Sequence, residues 1–222
     1  MTKTTLIFDM DGLMVDTEPL SHQAWAQIMQ PFDVTISPDM HMQMTGWRLD
    51  ISAEFVCDTF GLTIPVEELM RRKKAAMAAI VGDGVPVMPG LLALHDEIAR
   101  RRIRWGVATS SPRLHAIAVL TQLGLLDACV AIAAGDEVVH GKPAPDIYLL
   151  AAERMGVQPA DCLALEDSVP GCQAAAAAGM SVVAIPSGMT KTAVFPCATH
   201  KVDSLIAFAA HPAFYEIEDG LG

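Results

Sequence analysis

Apolar residues follow two rhythms along this chain. Five short runs, residues 5–8, 103–108, 128–133, 162–165 and 181–185, are nearly continuous in apolar side chains and bounded by turn or polar residues. That is the pattern of strands buried on both faces. Between them, apolar positions spread at helical spacing over 91–102, 114–123, 146–155 and 169–178, the last closed by Gly179. The alternation predicts an α/β fold, a parallel sheet with helices on both faces. Ligands of such sheets bind beyond the carboxyl ends of the strands.

One stretch breaks the rhythm. Residues 15–86 contain no convincing strand, only amphipathic segments at 20–29, 50–60 and 66–81. Gly82-Asp83-Gly84, then Pro86 and Pro89-Gly90, make a linker-like exit. The expectation is a discontinuous core, 1–14 and 87–222, with a helical domain at 15–86 inserted after the first strand. The residues after His211 read as a surface tail.

Composition narrows the class. Of 222 residues, 52% are apolar, enough for a packed core and against disorder. The net charge of -11 comes with no basic run, so a nucleic-acid backbone would be repelled. No segment is long and apolar enough to span a bilayer, and Leu6-Ile7-Phe8 is too short for a signal-peptide core. Five cysteines without a CxxC pair read as small buried hydrophobes in a reducing compartment, so a cytoplasmic location is expected.

The chemistry gathers at the strand ends. The first strand runs into Asp9-Met10-Asp11-Gly12. Side chains two apart on extended backbone share a face, so both carboxylates can address one site. The second ends in Thr109-Ser110-Ser111-Pro112, where Ser111 suits an N-cap and Pro112 the first helical position. Beyond the third, Lys142 sits between Gly141 and Pro143, while His140 reads as structural or solvent-facing. The fourth runs into Glu166-Asp167-Ser168. Two carboxylate pairs, a lysine and hydroxyls on one rim suggest a hard cation held by oxygens beside an anionic substrate; Mg²⁺ fits.

These motifs, "FDMDGLMVDTEP", "VATSS", "HGKPAPDIY" and "LEDSVPGCQAAAAAGM" in that order, resemble the haloacid dehalogenase (HAD) superfamily of phosphohydrolases. The likeness spans nearly the whole chain. The phosphatases of small phosphorylated metabolites and the β-phosphoglucomutases are nearest in pattern. The resemblance implies a Rossmann-like core with an inserted all-α cap. It also implies Asp9 as nucleophile forming an aspartyl-phosphate, and Asp11 as general acid and then base. Thr109, Ser110 and Lys142 would hold the phosphoryl oxygens. Mg²⁺ would be bound by Asp9, the Asp11 carbonyl and Asp167, with Glu166 direct or through water. Since a halide needs no protonation, Asp11 argues for phosphoester chemistry over dehalogenation.

The cap chooses the substrate. His22, Trp25 and the stretch Thr45-Gly46-Trp47-Arg48 are candidates, with Arg48 for a second anionic group. Trp25 and Trp47 equally suit packing, and Met40, Met42 and Met44 read as cap filling. Mutases of the family carry an Arg three residues after a cap Gly and a His on the first cap helix. Here Gly46 and Arg48 are two apart, and His22 stands one position late. The expectation is therefore a Mg²⁺-dependent phosphatase of a small phosphorylated metabolite, with sugar or sugar-alcohol phosphates favoured. A phosphosugar mutase comes second, and a catalytically silent phospho-ligand binding protein third. One chain carries every proposed group, so a monomer suffices.

Overall fold

A computed structural model describes residues 3–82 and 84–219, so Asp83 of the linker and the last three residues of the tail lie outside the described residues. Strand β1 (Thr5–Phe8) is followed by four helices, α1 (Glu18–Met29), α2 (Pro38–Met44), α3 (Leu49–Phe60) and α4 (Val66–Val81). The chain then alternates through α5 (Leu91–Arg100), β2 (Arg104–Thr109), α6 (Arg113–Gln122), β3 (Ile132–Ala134), α7 (Asp146–Met155), β4 (Cys162–Glu166), α8 (Val169–Ala177) and β5 (Ser181–Ala184). It closes with β6 (His200–Lys201), α9 (Leu205–Ala209) and α10 (Pro212–Tyr215).

The six strands form one parallel sheet in the order β3-β2-β1-β4-β5-β6. Because β1 is central, with β2 on one side and β4 on the other, its carboxyl end opens onto the crevice where connections diverge. Alternate residues of each strand feed two cores. Leu6, Phe8, Val107 and Leu165 pack with Leu94, Val119 and Phe208 on one face. Ile7, Ala108 and Ala164 pack with Tyr148, Ala151 and Ala175 on the other. Each fully buried aliphatic or phenyl side chain contributes about 1.5–3 kcal/mol, which holds the sheet rigid beneath the site.

Helices α1 to α4 share a third core of Trp25, Ile28, Met29, Val56 and Leu69. This is an all-α cap inserted into an α/β core. No helix among the described residues is long and apolar enough to cross a membrane. All five cysteines are free.

Three sequence expectations need adjusting. Strand β3 starts at Ile132, not at 128, because Cys129 still donates its N–H back to the Leu125 and Leu126 carbonyls in a turn. The two-residue strand β6 was invisible because His200-Lys201 has no apolar alternation. The segment after His211 is no surface tail: Phe214 and Ile217 are buried. Arg101 ties it down by donating to the carbonyls of Phe214 (3.0 Å) and Ile217 (2.5 Å).

Candidate active site

Asp9 leaves β1 into the crevice, its N–H donating to the Leu165 carbonyl at 2.9 Å, and so stays in register with the end of β4. Beneath it lies Lys142, almost wholly buried. The Lys142 ammonium donates to Asp9 Oδ1 (2.5 Å), Glu166 Oε1 (2.6 Å) and the Ala108 carbonyl (3.1 Å), using all three protons. Burial alone would lower the lysine's pKa, but the Asp9 and Glu166 charges hold it above its ordinary value.

Glu166 is saturated. Its Oε1 also accepts from the Tyr148 hydroxyl (2.8 Å), and its Oε2 from the N–H (3.1 Å) and hydroxyl (2.9 Å) of Ser168. Ser168 in turn caps α8 by accepting from the Gly171 N–H at 3.1 Å. Four donors fill the usual lone-pair positions of the Glu166 carboxylate, which fixes it as the anchor for Lys142.

Asp9, Glu166 and Asp167 each present a carboxylate oxygen within 4.8 Å of the others. Burial pushes the Asp9 carboxyl well above its ordinary pKa, with Lys142 opposing and Glu166 adding to the rise. Asp167 is raised for the same reasons, burial first and then Asp9. Lys142 brings one positive charge against three carboxyls, so a further cation is needed to keep Asp9 ionised. The donor set is all oxygen and suits a hard divalent ion. Gly12 permits the close approach of loop and acids: its φ is +85°, and a Cβ there would meet Asp167 Oδ2 at 2.1 Å.

Asp11 stands beside Asp9 in the same cleft, of about 790 Å³. Its Oδ2 accepts from the hydroxyls of Ser111 (2.7 Å) and Thr109 (3.4 Å), and its Oδ1 from Thr17 (2.9 Å). Here the sequence misled: α6 begins at Arg113, and the Ser111 hydroxyl goes to Asp11 instead of capping the helix. Ser110 borders the cleft, but its hydroxyl donates to the Gly46 carbonyl at 2.7 Å and joins core to cap.

The cap roofs the cleft. Arg48 lines it, yet its guanidinium is paired with Asp50 and its Nη1 donates to the carbonyls of Val138 (2.9 Å) and Val139 (3.2 Å) in the core. His22 is exposed and is not among the lining residues, whereas Ser21 is. Trp25 both packs in the cap core and walls the cleft, as does Met44. His140 is exposed, held to Asp146 at 3.0 Å, as expected.

Two cap residues, Lys73 buried and Glu18 half-buried, escaped the sequence reading. Lys73 on α4 is 4% exposed and donates to Ser21 Oγ at 3.1 Å. Burial lowers its pKa to about 8, with Glu18 and Asp11 opposing. Glu18 in the first turn of α1 is raised to about 7, by burial and then by Asp11. The signal for Lys73 was present: with Leu69 and Ala76 it occupies the buried stripe of α4 at i+4 and i+3 spacing. A lysine on an apolar stripe needs an acid opposite it.

A family model for haloacid dehalogenase-like hydrolases matches residues 3–179. The chain belongs to this family, and it is a phosphatase-type member of it. It is 36% identical to the fructose-1-phosphate phosphatase YqaB of Escherichia coli over 80% of this chain and 94% of that one. It is also 32% identical to the β-phosphoglucomutase of Bacillus subtilis, over 82% of this chain and 83% of the relative. Among solved structures, a CbbY variant from Rhodobacter sphaeroides in complex with xylulose-(1,5)bisphosphate superposes with a TM-score of 0.81 at 27% identity, covering 92% of this chain and 95% of that one.

Proposed function

We propose that the protein is a Mg²⁺-dependent phosphatase of a small phosphorylated metabolite, a sugar or sugar-alcohol phosphate, acting through an aspartyl-phosphate. One observation carries this reading. Asp9 and Asp11 share a cleft, with Lys142 beneath Asp9 and the Asp9–Glu166–Asp167 oxygens converging within 4.8 Å. Residues 1–14 and 87–222 form the catalytic unit, and residues 15–86 close over it.

Asp9 and Asp167, with the Asp11 carbonyl, would hold the ion, and Glu166, its lone pairs already filled, would add its charge alone. When bound, Mg²⁺ supplies the positive charge that lets a carboxylate approach a phosphate dianion. An Asp9 carboxylate oxygen forms the new bond to phosphorus as the ester P–O bond breaks, and Asp11 gives its proton to the leaving alcohol oxygen. Water then attacks the phosphorus, its proton passes to Asp11, and Asp9 is released. The Thr109 hydroxyl and the Ser110 N–H would position the phosphoryl oxygens, and Lys142 would do so by redirecting the proton it gives to Asp9 here.

The cap favours hydrolysis over a mutase cycle. A mutase must return the phosphoryl group to a second sugar hydroxyl, and the family's mutases carry a histidine on the first cap helix. On α1 here Ser21 lines the cleft and His22 is exposed; the histidine that borders the cleft, His41, sits on α2. A cytoplasmic location accords with the free cysteines. The test is phosphate release from sugar, sugar-alcohol and nucleoside monophosphates with Mg²⁺, with EDTA and with Asp9→Asn. Metal-dependent release lost in the variant is expected. Interconversion of β-glucose 1-phosphate and the 6-phosphate without net phosphate release would overturn hydrolysis in favour of the mutase.

A further inference from the structure

The roof of the cleft holds polar groups that the phosphoryl chemistry does not use. The Glu18 carboxylate accepts from the Thr45 hydroxyl at 3.3 Å and lies 3.7 Å from His41 Nδ1. His41 is 3% exposed, borders the cleft, and its Nδ1 has no hydrogen-bond partner. A buried ring nitrogen without a partner is costly, and a ligand that bonds to it removes the cost. Lys73 and Ser21 complete the group beside Trp25, whose ring lies 5.4 Å from the Lys73 ammonium.

The charge balance of this roof decides what it can hold. A second phosphate needs uncompensated cations, as a phosphate carries close to two negative charges at neutral pH. The Lys73 charge is offset by Glu18 nearby, and Arg48 is committed to Asp50 and to core carbonyls. Lys74, the other lysine lining the cleft, is exposed, so its charge is screened by solvent and ions. Above its pKa of about 7 the Glu18 carboxylate repels a phosphate, whereas it accepts readily from a hydroxyl, so the selection is assayed at pH about 8. An acceptor, a donor and an unpartnered imidazole nitrogen border the cleft and offer partners to the hydroxyls of a polyol chain.

We propose that Glu18, with His41 and Lys73, forms a hydroxyl-reading subsite that selects the monophosphate of a neutral polyol over a sugar bisphosphate. This deepens the phosphatase reading and rests on it.

Four probes separate the two readings. p-Nitrophenyl phosphate has no hydroxyls, sorbitol 6-phosphate and fructose 1-phosphate carry them, and fructose 1,6-bisphosphate adds the second phosphate. The wild type should prefer the polyol monophosphates to the bisphosphate by tenfold or more in kcat/KM. Glu18→Gln should lose about tenfold on the monophosphates, the scale of one charge-assisted hydrogen bond. It should change p-nitrophenyl phosphate turnover by less than threefold and narrow the preference over the bisphosphate. Glu18→Asp keeps the charge but withdraws it by one methylene, so it should lose polyol activity while still rejecting the bisphosphate.

Equal losses on p-nitrophenyl phosphate and on the polyols would overturn the subsite alone, as would a wild type that prefers the bisphosphate. No turnover of p-nitrophenyl phosphate by the Mg²⁺-loaded wild type would overturn the phosphatase reading, and the subsite with it.

Discussion

The Lys142 ammonium lies 2.5 Å from Asp9 Oδ1, and both groups are buried. Removing the lysine therefore does two separable things. It strips the phosphoryl site of a cation, and it leaves Asp9 and Glu166 facing each other without compensation. Breaking one side of a buried ion pair costs about 3–5 kcal/mol. Lys142→Met should abolish phosphatase activity and lower the urea midpoint by a margin of that order. The double variant Lys142→Met/Glu166→Gln should recover part of the stability and none of the activity. A single variant as stable as wild type would show that the pair is not the anchor described.

Removal of metal gives the second prediction. Burial pushes up the pKa of both Asp9 and Asp167, with Glu166 adding to the rise of Asp9 and Asp9 to that of Asp167, so the metal-free site is electrostatically frustrated. Mg²⁺ should raise the thermal midpoint, with a gain of about 2.7 kcal/mol at a hundredfold excess over Kd. EDTA should reverse both the shift and the activity. Asp167→Asn, which loses a ligand, should respond little to Mg²⁺; a full shift there would move the ion away from these acids.

Arg48 supports a sharper test of the cap. Its guanidinium bonds to Asp50 and to the Val138 and Val139 carbonyls, so it ties cap to core by geometry more than by charge. Arg48→Ala should raise KM about threefold to tenfold and speed amide exchange around residues 135–139. Arg48→Lys, which keeps the charge but loses the fork, should behave like the alanine variant. Full rescue by lysine would instead support the second anion site that the sequence suggested.

The parts of this protein that could be read from sequence are those where one physical rule dominates. Buried parallel strands are nearly pure apolar runs, so β1, β2, β4 and β5 stood out, and the acids following β1 and β4 had no reason to be there except chemistry. β3 was found but begun four residues early, because the apolar run from 128 does not mark where the turn ends, and β6 did not stand out because a two-residue strand carries no period. Ser111 was misread because Ser-Pro is also a helix-start signal, and only tertiary contact turns its hydroxyl towards Asp11. Glu18 and His41 meet across 22 residues of cap, a pairing no local pattern announces.

His95 makes the fold itself sensitive to acid. It is 5% exposed, 5.1 Å from the Phe8 ring and 4.3 Å from Trp105 between centroids, and its Nε2 has no partner. Burial lowers its pKa from 6.5 to about 4. The unfolded chain accepts this proton below pH about 6.5, while the folded chain resists it until about 4. Stability is therefore full above the upper value and falls as pH drops through the window. The loss from this group is about 2 kcal/mol between pH about 7.5 and about 5. Buried acids such as Asp9, with raised pKa, push the opposite way, so the wild-type slope is a sum of terms. The difference between wild type and His95→Phe isolates the histidine: the variant should lose less stability than wild type, by that amount, when urea unfolding is compared at the two pH values. Parallel pH profiles would mean that His95 already finds a partner, or water, in solution.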